Sequence, residues 1–352
     1  MRLAHRAAPL LLGSLLCAGA LEAAATEVRV LLAEGSGPQR VDGARVALAG
    51  EGLAVNGRPV GPRWRAPGRS PHRVGELQVR GDVVVERAGR GLRVVNRIPL
   101  ETYLSGTLGS EIYSSWSPAA LRAQAVVSRT YALYQRATAG ERGFDLEADT
   151  SHQVYGGVGV ENDPVRRAVA ETRSEVLTWQ GEPILAAFHS ASGGRTASAE
   201  EVWGRPLPYL RSVPVKGEEK SPDTYWRAHV PKSRLGPALA PLGLALGSIR
   251  GARVVERSPS GRVLGVELLG SRDAGRLQGR DLRDALGAEI LRSTMFEIRD
   301  RGDALVFVGS GHGHGVGMSQ WGAQAMAERG ASHEEILAAF YPGTELVRWS
   351  ER

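Results

Sequence analysis

NRIPLETYLSGTLGSEIYSSWSPAALRAQAVVSRTYAL, from Asn96 to Leu133, decides how this chain is read. It places one acid, Glu111, shortly before a helix that marks its own start. Ser117 suits the N-cap and Pro118 the first helical position, while Leu121, Ala125 and Ala132 recur at the spacing of a buried face. The pattern predicts a helix over Pro118 to Gln135. A carboxylate held on the approach to a rigid element, near Gln124, Ser128, Arg129 and Tyr131, has the fixed geometry and tunable surroundings that a general acid needs. The competing reading is a carboxylate that merely offsets the helix N-terminus.

Upstream, VRVLLAEG, ARVALAG, GLAVNGRPV, ELQVRGDVVVE and GLRVVNRIPL are short β-type runs broken by Gly, Pro and Asn, so Val28 to Leu100 reads as strand-rich. Downstream, Asp163 to Thr172 is a second helix, and PILAAFHSAS reads as a strand that delivers His189 to its end. Between Lys216 and Arg299 the composition changes, with a helix near Arg234 to Ala240 and strand pairs flanking Ser258 to Gly261. The expected class is α+β: a strand-rich N-terminal region, a mixed α/β core around a central helix, and an inserted α/β lobe. The expected boundaries are 26–215 with 298–352 for the core including the strand-rich region, and 216–297 for the lobe. Ser332 followed by Glu335 is a capping box.

Residues 1–25 have the pattern of an export signal. Arg2 and Arg6 precede an apolar run from Ala8 to Ala20, and Ala23, Ala24 and Ala25 form a small-residue cleavage site. The sole cysteine, Cys17, lies in this segment, so the exported chain would carry neither disulfides nor a thiolate metal site. An extracytoplasmic location is expected, with no stable membrane span after cleavage. The formal charge of the 352 residues is +6, but the basic residues are scattered arginines without a stripe of interleaved aromatics, so nucleic acid is not an expected partner.

Two histidine-bearing stretches invite a metal reading: DTSHQVYGG, with Asp149 and His152, and the HGH of His312 and His314. Histidines one residue apart on a strand point the same way and can share a zinc. Alternatively, the glycines at 311, 313, 315 and 317 allow backbone to approach a ligand closely, and the histidines hydrogen-bond a sugar or the backbone. Ser190 and Ser192 beside His189 do not form a nucleophile elbow of the G-x-S-x-G kind. Gln320 is a candidate hydrogen-bonder, and Trp321 is either a platform for a sugar face or core packing.

Three blocks carry a family resemblance: the opening stretch, FHSASGGRTASAEEVWGRPLPYLRSV from Phe188 to Val213, and GHGHGVGMSQWGAQAMAERGASHEEILAAFYPGTEL from Gly311 to Leu346. Together with DTSHQVYGG they resemble the signature of the SpoIID/LytB family of peptidoglycan-acting proteins. The resemblance implies a lytic transglycosylase that cuts the bond between N-acetylmuramic acid and N-acetylglucosamine in denuded glycan strands, leaving 1,6-anhydro ends. It implies Glu111 as the catalytic acid, with Glu101 and Asp149 as possible helpers. The expected glycan contacts are Arg129, Tyr131, His189, Ser190, Ser192, His312, His314, Ser319 and Gln320. No cofactor and no metal are expected, because the cysteines that flank the DTSH histidine in some members are replaced by Ala148 and Gln153. LytB-type members are described as modifiers of a cell-wall amidase, so the alternatives are a non-cutting glycan binder that stimulates such a partner and, further off, a zinc peptidase.

Overall fold

The computed structural model describes residues 26–149 and 152–350. The expected export segment, Cys17, and Thr150 and Ser151 of the DTSH stretch lie outside them. The class is α+β, with the strand-rich region at the N-terminal side.

Glu27–Gly35 pairs antiparallel with Gly91–Pro99, which pairs in turn with Asp82–Ala88; Leu146–Glu147 and Arg63–Arg65 complete a five-stranded sheet. Alternation drives it, since Val28, Val30, Val83, Val85, Leu92 and Val94 are all buried. Six shorter strands between Gln39 and Val79 form a second sheet. Strand Gly91–Pro99 runs directly into helix α1, Leu100–Glu111. Pro99, which donates no N–H, is its N-cap residue, and the Leu100 N–H donates to Thr26 O at 2.7 Å. The sheet thereby aims α1, and whatever α1 carries at its far end.

Helix α2, Pro118–Thr138, begins at the proline as expected and runs three residues beyond Gln135. The Ser117 side chain makes no cap hydrogen bond; its backbone N–H instead donates to Gln324 Oε1 at 3.0 Å. The helix is buried on more than the one face predicted. Leu121, Ala125 and Ala132 pack with Tyr103, Leu104 and Leu108 of α1 against the N-terminal sheet, while Ala123, Val126 and Val127 enter a second core. A helix apolar around most of its circumference belongs at the centre of a fold, and the alanines allow close neighbours on both sides. Helix α3, Asp163–Glu171, packs across α1 and α2 and is capped by Asn162.

The second core gathers Leu177, Ile184, Leu210, Met318, Ile336 and Phe340. The strand expected over PILAAFHSAS shrinks to Phe188–His189, paired parallel with Met318–Ser319. Helix α4, Ala199–Trp203, follows it.

A third core lies in the lobe, around Trp226, Val266, Leu268, Leu282, Phe296 and Phe307. It contains helices α5, Lys232–Leu239, and α6, Gly279–Leu286, and two three-stranded sheets. The central strand of one sheet is Ala304–Gly309, flanked by Trp226–Pro231 and Phe296–Arg301. The expected lobe boundary at 297 therefore falls inside a strand, and the sheet continues to Gly309. The hairpin turn at Gly302, with φ of 70°, joins its last two strands. Helices α7, Gln320–Glu328, and α8, His333–Phe340, pack against α2. The capping box of Ser332 and Glu335 is present. Among the described residues no helix is long and apolar enough to cross a membrane.

Gly309 passes against the Trp226 ring so closely that an added Cβ would lie 2.2 Å from it. Gly309→Ala should therefore lower stability by about 1–3 kcal/mol through overpacking, read as a reduced urea midpoint.

Candidate functional site

Glu111 is the last residue of α1, six positions before the Ser117 that opens α2, so it closes one helix and precedes the next. That position has an electrostatic consequence. A carboxylate at a helix C-terminus meets the negative end of the macrodipole and is disfavoured in its charged form. Burial pushes the Glu111 carboxyl up to about 7, opposed by one hydrogen bond from the Val154 N–H to Oε1 at 2.6 Å. The helix end is fixed from across the molecule, because Gln320 Nε2 donates to the Glu111 carbonyl at 2.8 Å.

Glu111 lines a cleft of about 650 Å³. Tyr113, Trp116 and Trp321 form one wall, with ring centroids 5.5 Å apart for Tyr113 and Trp116 and 4.7 Å for Trp116 and Trp321. Tyr113 is 60% exposed, a surface position at which an apolar ring gains from a ligand. Ser190, Gln320, His312, Asp223, Arg292 and Glu289 also line it. The cleft thus draws on all three signature blocks and on the lobe.

His312 enters through the glycine loop. The loop is seated against the FHSASGG turn by a bridge in which His312 N donates to Ala191 O at 2.8 Å and Ala191 N to His312 O at 3.1 Å. Trp226 Nε1, from the lobe, donates to Gly311 O at 3.0 Å. Gly317, with φ of 72°, passes so near Ala187 that a Cβ would lie 1.9 Å from its carbonyl oxygen. The His312 ring meets Asp223 Oδ2 through Nδ1 at 3.1 Å, and the other oxygen of Asp223 is held by Arg292 Nη1.

The other expected contacts divide. His314 does not join His312, because the HGH segment is a loop of left-handed glycines rather than a strand and the two rings diverge. His314 faces a separate groove with Trp203, Arg262 and Arg283, its ring 5.6 Å from that of Trp203, and burial pushes it down to about 4. His189 is buried with Nδ1 3.1 Å from Val316 O, and burial holds it well below the usual histidine range. Ser192 and Ser319 turn inward onto Glu218, whose carboxylate accepts from Ser192 N at 2.8 Å, Ser192 Oγ at 2.6 Å, Gly194 N at 3.1 Å and Ser319 Oγ. These bonds brace the scaffold. Ser190 does line the cleft, and its carbonyl accepts from Trp321 N at 3.0 Å. Gln320 lines it too, with its amide nitrogen committed to the Glu111 carbonyl.

Arg129 is 1% exposed and forks onto Glu101, with both contacts at 2.8 Å, while donating to the Val169 and Glu175 carbonyls. It ties α1 to α2 through a pair with Glu101. Tyr131 is half-buried, its ring near those of Phe188 and His152, and is not among the cleft residues; burial pushes it up to about 12. Among the described residues no group of three histidine, cysteine, aspartate or glutamate side chains is placed to hold a metal.

Sequence reasoning missed Tyr113, Trp116, Asp223, Arg292 and Glu218. The YSSW between the two helices carried a usable signal, two aromatics among serines beside the candidate acid. Asp223, Arg292 and Glu218 carried none, since their partners lie far away in the chain.

Comparison with known proteins adds the following. A family model described as stage II sporulation protein matches residues 88–179, and a second, described only as a domain of unknown function, matches 217–317. Stage II sporulation protein D of Bacillus subtilis is 33% identical over 72% of this chain and 75% of its own length. An uncharacterized protein of Brachyspira hyodysenteriae is 33% identical over 73% of this chain and 69% of its own. The amidase enhancer of Bacillus subtilis is 31% identical over 70% of this chain, which spans 40% of that relative.

The raised Glu111 carboxyl predicts a stability effect with a definite sign. The folded protein holds this proton up to about 7 whereas the unfolded chain releases it near 4.5, so stability falls as pH rises through that window and levels off above it. Glu111→Gln removes the penalty. The variant should be more stable than the parent by up to about 3 kcal/mol at pH 8 and by little at pH 4, as denaturant titrations at the two pH values would show.

Proposed function

The chain belongs to the stage II sporulation protein D family, and from that premise we propose that it is a lytic transglycosylase of peptidoglycan glycan strands. The observation that carries this reading is a carboxyl whose proton affinity is raised to about 7, opening onto a cleft with an aromatic wall. Simple binding of glycan has no use for such a group, whereas a general acid working near neutrality needs it.

In the proposed reaction Glu111 gives its proton to the oxygen linking muramic C1 to the glucosamine ring while the C1–O bond breaks. The muramoyl C6 hydroxyl closes onto C1, and the Glu111 carboxylate takes the hydroxyl proton. A 1,6-anhydro end forms, no water is consumed, and the carboxyl is restored. Ordinary glycosidases need a second carboxylate to activate water or to attack as a nucleophile. Internal closure needs only one. The other acids of the cleft suit this economy, since Asp223 is engaged by Arg292 and His312, and Glu289 is exposed. Tyr113, Trp116 and Trp321 would cover the apolar faces of successive sugars and hold the strand while the bond is cut. The reading entails an extracytoplasmic site of action at the cell envelope and no metal or cofactor.

Purified denuded strands incubated with the protein should yield 1,6-anhydromuramic ends by mass spectrometry, with or without EDTA. Glu111→Gln should abolish them while leaving strand binding intact. Reducing ends instead of anhydro ends would make it a hydrolase. Binding without cleavage, together with stimulation of a cell-wall amidase, would support the function that the name of the amidase enhancer relative states for that protein. Because the acid must enter protonated, kcat should fall as pH rises above about 7.

Trp321→Ala should weaken strand binding about threefold to tenfold, the worth of one aromatic contact, with a smaller change in the pH profile. Isothermal titration with the uncleaved strand in the Glu111→Gln background measures it.

A further inference from the structure

The arginines of this chain are scattered along the sequence, but the acids that would balance them are not. Residues 26–99 carry thirteen arginines, no lysine and seven carboxylates, a surplus of six positive charges. Residues 100–352 carry 29 basic and 30 acidic side chains, a surplus of one negative charge. The positive excess therefore belongs to the strand-rich region, and none of its arginines lines the cleft of Glu111.

Within that region every carboxylate is engaged. Asp82 pairs with Arg65 at 2.6 Å, Glu27 with Arg97 at 2.7 Å and Asp42 with the His72 ring at 2.6 Å. Glu34, Glu51, Glu76 and Glu86 likewise have arginine partners, and Arg29 and Arg80 reach out of the region to Asp145 and Glu161. Five arginines are left over. Arg40, Arg45, Arg58, Arg69 and Arg90 are exposed, and none of them forms an ion pair among the described residues.

Two of the five face each other. Arg40 on strand Gln39–Val41 and Arg45 on strand Ala44–Ala49 are directly opposed in the register, and these strands are the central pair of the six-stranded sheet. Val41 and Val46, beside them, are buried in the core, so by the two-residue alternation both arginines stand on the outer face. Side chains so opposed have Cβ atoms about 5 Å apart, and like charges in that position weaken the pairing of the strands. Arg58 starts the edge strand Arg58–Gly61 of the same sheet, two strands and about 10 Å from Ala44–Ala49. The free protein thus carries an unrelieved repulsion on an open face, and a bound anion would relieve it.

We propose that this outer face binds a flexible phosphodiester polymer of the polyol-phosphate kind, at a site separate from the cleft. Guanidinium forks match phosphate oxygens in pairs, and a tetrahedral phosphodiester can be met by two forks from different directions. The region lacks what other phosphate-bearing partners require. Its one aromatic residue other than histidine, Trp64, packs against the core, so there is no platform on which nucleic-acid bases could stack. Val60, 37% exposed, is its one exposed large hydrophobic side chain, so there is no aromatic or leucine anchor for a bilayer interface. Arg90 lies in the turn between Asp82–Ala88 and Gly91–Pro99 of the other sheet, and a polymer that bends reaches it together with Arg40 and Arg45 more readily than a flat surface does. The consequence is tethering: a protein held through its N-terminal sheets works at raised effective concentration on whatever lies beside that polymer. The inference goes beyond the transglycosylase reading and stands without it.

The test titrates the full chain with poly(glycerol phosphate) of defined length by calorimetry at several ionic strengths. Binding is expected, and it should weaken steadily as salt rises. Arg40→Gln/Arg45→Gln should weaken it about threefold to tenfold and flatten the salt dependence. Arg234→Gln/Arg250→Gln removes the same charge from exposed positions in the lobe and should leave affinity nearly unchanged. Arg40→Lys/Arg45→Lys keeps the charge without the forks and should fall between the parent and the glutamine pair. Because the two arginines repel each other, Arg40→Gln/Arg45→Gln should unfold in urea at a midpoint no lower than the parent's, which separates lost binding from lost folding. Its cleavage of short denuded strands should match the parent's.

Absence of binding, or equal losses in the two glutamine pairs, overturns the inference. Equal affinity for polyglutamate of matched length overturns it as well, because the face would then answer to charge alone. Binding to vesicles of phosphatidylglycerol and phosphatidylcholine without binding to the polymer would make the face a membrane surface and overturn the choice of partner. Failure of the transglycosylase reading shows separately, as the absence of anhydro ends, which these titrations do not measure.

Discussion

The hydrogen bond from Gln320 Nε2 to the carbonyl of Glu111 spans 209 residues of sequence and joins the start of α7 to the end of α1. A helix C-terminus leaves its last carbonyls without partners, and a side chain that satisfies one also pins the final turn in place. Here the pinned turn bears the acid. Gln320 itself cannot wander, because Ser319 before it caps α7 and is drawn down onto Glu218. The position of Glu111 is therefore fixed from two directions: by the N-terminal sheet, which launches α1, and by the C-terminal helix, which receives it.

Glu218 and Glu111 differ in their surroundings, and the difference explains their uses. Glu218 accepts from four donors, two backbone N–H groups and two serine hydroxyls, so its oxygens are fully occupied. Such a group organises backbone and has nothing left for a ligand. Glu111 has one donor, the Val154 N–H, and lies at the unfavourable end of a helix dipole. Burial, only partly offset by that one hydrogen bond, raises its proton affinity. The scaffold thus concentrates its polar satisfaction around Glu218 and withholds it from Glu111, a local loss of stability at a site where reactivity requires it.

Much of this was legible in sequence, and the boundary of legibility has a physical cause. The α2 start at Pro118, the helix at Asp163, the capping box at Ser332 and the candidate acid were visible because each depends on residues within a few positions of one another. Residue type also marked Ser190, His312 and Gln320, which line the cleft. Orientation was not visible. Ser192, Ser319 and Arg129 have the chemistry of ligand contacts, and the fold turned them onto Glu218 and Glu101, partners at separations of 26, 101 and 28 residues. The HGH rings part for a related reason: the period-two rule holds only on a strand, and glycines in the left-handed region take the chain off it.

The lobe shows how an inserted body can shape a cleft without providing its central acid. Its sheets enclose a core of their own. Strand Ala304–Gly309 nevertheless ends only two residues before the loop that carries His312, and Trp226, on the neighbouring strand, holds Gly311 by its carbonyl. A shift in the register of that sheet would move the loop, and Asp223 and Arg292 would move relative to His312 with it. Coupling of this kind needs no long pathway, because the loop is the direct continuation of a lobe strand. The acid ends α1 and His312 lies in the loop that follows the lobe's outgoing strand, so the cleft that both line is built from both parts of the chain.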